Sequence, residues 1–326
     1  MRYLLQRVAI LLITGWAALT INFLIPRLMP GNPVETMIAK FQGRISTTAI
    51  HALELQFGLH SHQGWWLQYL DYWRNILTGH LGVSVTYYPQ SVGSVLAQSV
   101  PWTVGLVGLS TVIAFLAGTL IGIRSAWRRG RLGADLSVPV ALFLNSTPYF
   151  WFALILLYAF AFLLSWFPLS GGAASSGSPQ GLAYLGSLAY HGTLPLLTLV
   201  ITSLGGWLLT MRNNMLSTVS EDYVAFAQAR GLPEGQVMYR YAARNAILPS
   251  FTAFAMAIGF VISGTLLTEI VFSYPGVGFI LYQAVTSLDY PLMQAIFLFI
   301  SLAVLAANFI ADLVYILVDP RAREGR

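Results

Sequence analysis

The chain has 326 residues, of which 56% are hydrophobic and only 9% are charged, and its mean hydropathy is +0.68. Soluble domains carry about 25% charged residues, so this chain has too few to cover a water-facing surface. The composition therefore excludes a soluble enzyme and predicts an integral membrane protein. The formal net charge is +5, and the lack of cysteine excludes disulfides, thiolate metal ligands and cysteine nucleophiles.

Six apolar runs are long enough to cross a bilayer as helices. They lie at residues 8–28, 102–123, one stretch within 138–167, 194–211, 247–267 and 291–318. The first run follows two arginines, as in a secretory signal, but it is longer than the apolar core of about 7–15 residues that such signals have. We interpret it as an uncleaved membrane helix and predict an all-α, polytopic membrane protein with six transmembrane helices.

The arginines predict the orientation of these helices. Thirteen of the 17 basic residues lie before helix 1, in the loops after helices 2 and 4, and in the C-terminal tail. The connections at residues 170–192 and 271–290 contain neither lysine nor arginine. Because basic loops stay on the cytoplasmic side, both termini are expected there.

A long extracytoplasmic segment, residues 30–101, is expected after helix 1. Its two helical patterns of apolar residues are Ile50, Leu53 and Phe57, then Trp66, Leu70, Trp73 and Leu77. A helix rich in tryptophan and tyrosine is typical of the headgroup level of a membrane, which we favour; a lid or a docking surface for an external partner is the alternative. His60 and His62 lack a third nearby ligand, so no metal site is predicted.

One inner loop, residues 212–249, is long enough to hold structure of its own. Asp222 stands in the first turn of a predicted helix, Gly231 ends that helix, and Pro233 opens a second one. We expect the second helix to run to about Arg244, before Pro249 marks the point where the chain returns to the membrane. Small residues on one face suit the groove of another protein, and the loop is too apolar and too close to the bilayer to read nucleic acid.

The sequence of this loop is similar to that of a known family. Its two runs are Glu221-Asp222-Tyr223-Val224-Ala225-Phe226-Ala227-Gln228-Ala229-Arg230-Gly231-Leu232 and Ala243-Arg244-Asn245-Ala246-Ile247-Leu248-Pro249. They resemble the EAA loop of ABC-importer permeases, in the form found in the dipeptide, oligopeptide and nickel family. Ala227 and Gly231 match the motif's second alanine and its glycine, whereas Ala225 replaces the glutamate that names the motif.

In that family the loop forms a coupling helix that sits in a cleft of the cytoplasmic ATPase. The resemblance therefore implies an ATPase-coupling role for Asp222, Tyr223, Ala225, Ala227, Ala229, Arg230, Gly231, Arg244, Asn245 and Pro249. We refer to residues 212–249 as the candidate coupling loop. Glycine at position 231 permits a positive φ and a close approach of backbones, which suits a partner contact or an ordinary turn between helices.

Further motifs extend the resemblance over nearly the whole chain. They are Pro30-Gly31-Asn32-Pro33, Gly79-His80-Leu81-Gly82, Ser146-Thr147-Pro148-Tyr149-Phe150-Trp151, His191 with Leu194-Pro195 and Thr198-Leu199, the run from Glu269 to Gly278, and Asp319-Pro320-Arg321. His80 and Asn32 stand where aspartates are usual, so an acidic role is not expected at those two positions. The resemblance implies the fold of a type I ABC-importer permease.

The resemblance also implies a function and partners. The chain would be the membrane-spanning permease subunit of an ATP-driven peptide importer in a prokaryotic cell membrane. It would pair with a second homologous permease, two cytoplasmic ATP-binding subunits and an extracytoplasmic substrate-binding protein. ATP and Mg²⁺ would bind to the ATPase subunits, with no cofactor on this chain. Nickel chelates or oligosaccharides are alternative substrates, and a carrier driven by an ion gradient is an alternative of another class.

Catalytic motifs are missing from the sequence. It contains no GxxxxGK[ST] phosphate-binding loop, no HExxH zinc motif and no paired acids within a span. We therefore expect a transport subunit and not an enzyme. The predicted organisation is an N-terminal transmembrane helix at 1–29, the extracytoplasmic segment at 30–101, a five-helix permease core at 102–318 and a cytoplasmic tail at 319–326.

Candidates for a gate or a pathway come from prolines and from polar residues in or near the spans. They are Pro148, Glu269, Tyr274, Pro275, Gly276, Asn308 and Asp312. A kink is predicted near Pro148 and serves either packing, which we favour, or gating. Asn308 and Asp312 share a helical face that should point into the helix bundle, and we favour hydrogen bonding between helices over a proton relay there. Glu269 is interpreted as a structural anchor of the outer gate.

Overall fold

The structure is a computed structural model that describes residues 2–30, 64–174, 181–261 and 265–318, with the backbone alone for residues 2–8 and 311–318. These residues form helices and turns, and the only strand-like pairing among them is one antiparallel bridge between Val83 and Ser91. The predicted all-α class is confirmed.

Twelve helices follow one another along the described part of the chain. They are α1 Arg2–Leu28, α2 Trp65–Thr78, α3 Val92–Trp127, α4 Leu132–Ser146, α5 Tyr149–Leu156, α6 Leu182–Val219, α7 Asp222–Ala229, α8 Glu234–Gln236, α9 Arg244–Gly259, α10 Leu266–Val271, α11 Val277–Thr286 and α12 Tyr290–Val318. A π-helical segment, Leu157–Leu163, extends α5, and a second, Val237–Ala243, joins α8 to α9. The second helical pattern of the 30–101 segment is confirmed as α2, whereas the first, around Ile50, lies outside the described residues.

Four helices are long and apolar enough to cross a membrane: Ala9–Leu28 of α1, the whole of α3, the whole of α6, and Tyr290–Ile310 of α12. A fifth candidate span consists of α4 and the extended α5, which are bent by 97°. The remaining predicted span, residues 247–267, falls on α9, which has 16 residues, and on the start of α10. Residues 262–264 within it lie outside the described residues. The multi-pass character is confirmed, whereas the count of six helices stays a prediction.

The kink predicted near Pro148 is present as the bend between α4 and α5. Thr147 is extended, with φ −85° and ψ 128°, as expected for a residue that precedes proline. Pro148 then precedes the first turn of α5, and its carbonyl accepts a hydrogen bond from the N–H of Trp151 at 3.0 Å. The sequence Thr-Pro thus ends one helix and starts the next in a new direction.

The chain folds into two compact units, formed by residues 1–103, 262–266 and 275–326, and by residues 104–261 and 267–274. In the first unit, α12 packs along α1 and against α11. Its core consists of Val92, Val95, Leu96, Val277, Ile280, Leu281, Ala284, Leu292, Met293, Ala295 and Ile296. Burial of these aliphatic side chains stabilises the unit.

A buried carboxylate fastens the loop at residues 81–91 within the first unit. Asp289 is fully buried and accepts hydrogen bonds from the hydroxyl of Ser84, from the N–H of Thr86 at 2.8 Å and from the N–H of Leu292 at 3.1 Å. The last of these bonds caps the start of α12. In the same loop, burial raises the pKa of Tyr87, whose hydroxyl is hydrogen-bonded to the side chain of Gln283.

Glycines bring helices of the second unit into close contact around α6. A Cβ added at Gly118 would lie 2.6 Å from Cβ of Trp207, and one added at Gly122 would lie 2.6 Å from the carbonyl oxygen of Leu208. On another side of α6, a Cβ at Gly205 would collide with the backbone of α4 at Ala141. Small residues at such positions let the backbones of membrane helices approach closely.

Candidate functional site

The candidate coupling loop folds as helix, turn and helix. Glu221 is extended and precedes α7, and Asp222 lies in the first turn, where a negative charge stabilises the N-terminus of a helix. Beyond α7, the N–H of Gly231 bonds to the carbonyl of Gln228 at 2.9 Å, and Gly231 adopts a φ of +72°. This positive φ favours glycine, so the prediction that Gly231 ends the first helix is confirmed.

The helix α7 has two unlike faces. Val224 and Ala227 are buried on the inner face, whereas Tyr223 and Phe226 are exposed on the other, Phe226 to 65%. Arg230 is also exposed and follows Phe226 by four residues, which places it close to the same face. The helix therefore presents two aromatic side chains and one guanidinium group to a potential partner.

The second helical part of the loop is longer than predicted. The chain stays helical from α8 through the π-helical segment into α9, and Pro249 lies inside α9. The expected helix end near Arg244 is therefore wrong. Proline removes one amide donor, but Ala246 and Ser250 beside it remain buried, so packing holds the helix together across the proline.

The inner faces of these helices share one core with α3 and α6. Its members are Ile123 and Ala126 of α3, Met211 and Met215 of α6, Val224 and Ala227 of α7, and Val237, Met238, Ala242, Ala243 and Ala246 of the second helical part. We call this set the loop core. Because it is closely packed and apolar, the candidate coupling loop is mounted firmly on two long helices.

Polar contacts at the rim of the loop core fix the loop further. The indole N–H of Trp127, at the end of α3, donates to Oε1 of Glu234 at 2.7 Å. The amide group of Asn245 donates to the hydroxyl of Tyr223 at 2.9 Å, which ties α9 to α7. Sequence motifs indicated Tyr223 and Asn245 separately, and the structure brings them into contact.

The structure places nine of the ten predicted coupling residues at the surface and one inside. Exposed are Asp222, Tyr223, Ala225, Ala229, Arg230, Gly231, Arg244, Asn245 and Pro249. Ala227 is buried in the loop core, so its side chain positions α7 and does not face a partner. Phe226, Trp127 and Glu234 were not among the candidates. The three-residue step from Tyr223 to Phe226 was a signal that could have identified Phe226.

The candidate gate residues are divided between the two units. In the second unit Glu269 and Tyr274 are buried, and the N–H of Tyr274 donates to the carbonyl of Glu269 at 2.8 Å. In the first unit Gly276 is extended and precedes α11. Glu269 of α10 and Tyr274 thus lie at the two ends of a short buried turn, and the role of the candidates in a gate stays a prediction.

The face of α12 that carries Asn308 was expected to point into the helix bundle, but it is exposed in the structure. Asn308 is exposed, because α12 packs on its neighbours through other residues, among them Ala295 and Ile296. Within one chain, this position therefore does not point into the packed bundle. The side chain of Asp312 lies outside the described residues. Within the described ranges, no group of three or more His, Cys, Asp and Glu residues is placed to hold a metal ion.

Comparison with known proteins gives a consistent result. Residues 118–324 match a family described as the binding-protein-dependent transport system inner membrane component. The chain is 32% identical, over 99% of both chains, to the di/tripeptide transport system permease protein DppB of Pseudomonas aeruginosa. It is 30% identical, over 92% of both chains, to the oligopeptide transport system permease protein AppB of Bacillus subtilis. It is also 30% identical to the probable D,D-dipeptide transport system permease protein DdpB of Escherichia coli, over 97% of this chain and 95% of that one.

The matched region includes the whole candidate coupling loop, and the relatives align from end to end. Together with the apolar spans, this similarity shows a multi-pass membrane protein of a transport-permease family. The chain belongs to the family of inner-membrane components of binding-protein-dependent transport systems, the permease subunits of ABC importers.

Proposed function

We propose that this chain is the permease subunit of a peptide importer and that the exposed face of α7 couples it to the ATPase subunits. The relatives named as di/tripeptide, oligopeptide and D,D-dipeptide permeases support a peptide substrate. The coupling role rests on one observation, the exposed group Tyr223, Phe226 and Arg230 on a firmly mounted helix. Aromatic and arginine side chains dominate the binding energy of many protein interfaces.

The complete transporter would contain a second homologous permease, two ATP-binding subunits and an extracytoplasmic substrate-binding protein. The arginine-rich loops, including the candidate coupling loop, would face the cytoplasm together with both termini. ATP and Mg²⁺ would bind to the ATPase subunits. The exposure of Asn308 supports a place for α12 at the second permease or at the pathway, because a polar side chain that faces lipid is unfavourable.

The mechanism follows from how the loop is mounted. When ATP binding closes the ATPase dimer, the cleft that holds α7 moves, and the loop core passes this displacement to α3 and α6. The helix bundle would then exchange an inward for an outward opening, and the substrate would cross between the two permeases. Pro148, Glu269, Tyr274, Pro275 and Gly276 are the candidates for gate elements.

Two alternatives differ in substrate or in energy source. Nickel chelates or oligosaccharides would use the same architecture, but the relatives named above are all peptide permeases. A carrier driven by an ion gradient would work without an ATPase. Purification of this chain free of any ATPase, together with flux driven by a gradient in liposomes, would establish that alternative.

The substitution Phe226→Ala tests the coupling role in the assembled transporter. Phe226 is 65% exposed, so its removal should leave the melting temperature unchanged, whereas loss of an interface anchor should reduce ATP-dependent peptide uptake about tenfold. Leu132→Ala is the matched control, because Leu132 is a large apolar residue that is 80% exposed outside the candidate coupling loop. Normal uptake by Phe226→Ala and by Arg230→Ala would refute the proposal.

A further inference from the structure

Helix α2 presents three different faces when successive residues are placed about 100° apart. The buried face consists of the buried Tyr72 and the half-buried Tyr69 and Ile76, which pack with Leu19, Phe23 and Leu298. The adjacent face carries Trp66, Leu70 and Leu77, all of them exposed, and we call it the apolar stripe. The remaining face carries Asp71, Arg74 and Asn75 together with Leu67, and all four side chains are exposed.

The buried face is hydrogen-bonded to α1. The hydroxyl of Tyr69 is hydrogen-bonded to the hydroxyl of Thr20 at 2.8 Å, and the amide group of Asn22 donates to the hydroxyl of Tyr72 at 3.0 Å. Phe23 adds ring contacts, with centroid distances of 5.1 Å to Tyr69 and 5.5 Å to Tyr72. These contacts fix α2 beside the C-terminal half of α1 and determine which way the apolar stripe faces.

The same contacts give the depth of α2 in the membrane. The apolar span of α1 is Ala9–Leu28, so Thr20 lies about 12 Å from its C-terminal end at 1.5 Å per residue. The contacts of α2 on α1 therefore range from Thr20, near the middle of the span, to Arg27, near its C-terminal end. At the same end, Arg27 donates to Gln68 of α2 at 3.0 Å, which places a charged group and α2 at one level.

We propose that α2 is an interfacial helix whose apolar stripe lies in the acyl chains of the leaflet that holds the C-terminal half of α1. At this depth the stripe faces lipid, while Asp71 and Arg74 on the third face reach the headgroups and water. Tryptophan is enriched at such interfaces, and Trp66 is 69% exposed and Leu77 79% exposed in the chain. The proposal needs only that α1 spans the membrane and is independent of the coupling role of α7.

The lack of native cysteine allows a direct test with single cysteines in the full chain. Leu70→Cys and Leu77→Cys report on the apolar stripe, and Asp71→Cys and Asn75→Cys are matched controls on the same helix. Each variant carries a nitroxide label in the assembled transporter in phospholipid vesicles. Collision rates are measured with oxygen, which concentrates in acyl chains, and with a water-soluble nickel chelate.

The expected oxygen-to-nickel collision ratio is severalfold higher at residues 70 and 77 than at residues 71 and 75. Equal ratios at all four positions would overturn the proposal and leave the stripe in water. Low collision rates with both reagents at residues 70 and 77 would also overturn it, since a protein surface would then cover the stripe. All four native side chains are exposed, so the labels displace no packed residue.

Discussion

Helices α7 and α2 are both short and amphipathic, and each is fastened by a hydrogen-bonded tyrosine, yet their exposed faces differ. On α7 the aromatic side chains of Tyr223 and Phe226 stand beside Arg230. On α2 no charged residue lies within the apolar stripe, although Arg74 borders it beside Leu70 and the exposed Leu67 lies between Arg74 and Asp71 around the helix. Mixed aromatic and arginine residues suit a protein interface, whereas segregated ones suit a bilayer surface. The arrangement of charge around the aromatic residues thus distinguishes the two surfaces better than exposed apolar area does.

The largest loss of stability is expected when a charged side chain is placed on the buried face of α7. Ala227→Glu would bury a carboxylate in the loop core and should lower the free energy of unfolding by about 3 kcal/mol or more. Ala225→Glu is the matched control, because Ala225 is exposed on the same helix. Thermal unfolding and the yield of assembled transporter measure the difference. Equal melting temperatures for the two variants would show that the loop core does not hold α7.

A smaller loss is expected where the chain is fastened after α2. Asp289→Ala removes the acceptor of three hydrogen bonds and should cost about 2–3 kcal/mol. Ser84→Ala removes one of these bonds and also the acceptor of the Tyr87 N–H at 3.0 Å, so it should cost less than Asp289→Ala. Thermal unfolding of the purified transporter measures both variants. Equal losses would show that the two N–H bonds to Asp289 together contribute no more than the N–H bond from Tyr87 to Ser84.

Substitutions of Gly231 test the turn after α7. A Cβ at this position would meet no atom within 4 Å, so Gly231→Ala should cost only about 1–2 kcal/mol for the left-handed backbone. Gly231→Asn should cost less, because asparagine tolerates this conformation. Both variants should fold, and under the proposed coupling role both should lower peptide uptake, because the added side chain would lie at the contact with the ATPase. Normal uptake by Gly231→Asn would mean that glycine serves the turn alone.

The smallest effect is expected at the attachment of α2. Tyr72→Phe removes one hydrogen bond from Asn22, whose amide group still donates to the carbonyl of Gln294, and should cost about 1 kcal/mol. The mobility of a spin label at Asn75→Cys measures how firmly α2 is held. An unchanged spectrum would show that ring packing and the hydrogen bonds of Tyr69 and Gln68 hold the helix without this bond.

Alkaline pH provides a second measurement of this attachment. Burial raises the pKa of Tyr72 from 10.0 to about 12, so the folded chain favours the protonated phenol. The resulting stabilisation is present below pH 10 and is lost as the pH rises from 10 to 12. The label at residue 75 should become more mobile over this range in the native background and less so with Tyr72→Phe. The same mobility change in both backgrounds would exclude Tyr72 as the group responsible.

Local signals predicted much of the candidate coupling loop. An acidic first turn, the glycine at 231 and the proline at 233 gave the two helical parts, because caps and breakers act within a few residues. The predicted end of the second helical part near Arg244 was wrong, because the packing of Ala246 and Ser250 outweighs the helix-breaking effect of Pro249. Phe226 was missed because an aromatic residue in an apolar chain is usually buried, and its exposure depends on where the loop core lies.

Contacts between residues far apart along the chain could not be predicted from the sequence. The bond from Ser84 to Asp289 joins residues 205 positions apart, and no local pattern indicates it. On α2, periodicity identified the helix and the apolar stripe, but not the face that packs on α1. That face uses tyrosines, whose rings pack on Phe23 while their hydroxyls bond to polar residues of the span.

The glycine contacts around α6 have a mechanical consequence. Gly118 and Gly122 let the backbones of α3 and α6 touch, and Gly205 does the same for α6 and α4, so any added side chain would push these helices apart. With 38 residues, α6 is about 57 Å long at 1.5 Å per residue. A displacement of α6 at its C-terminal end would therefore be felt first at these contacts with α3 and α4, because no side chain lies between the backbones to absorb it.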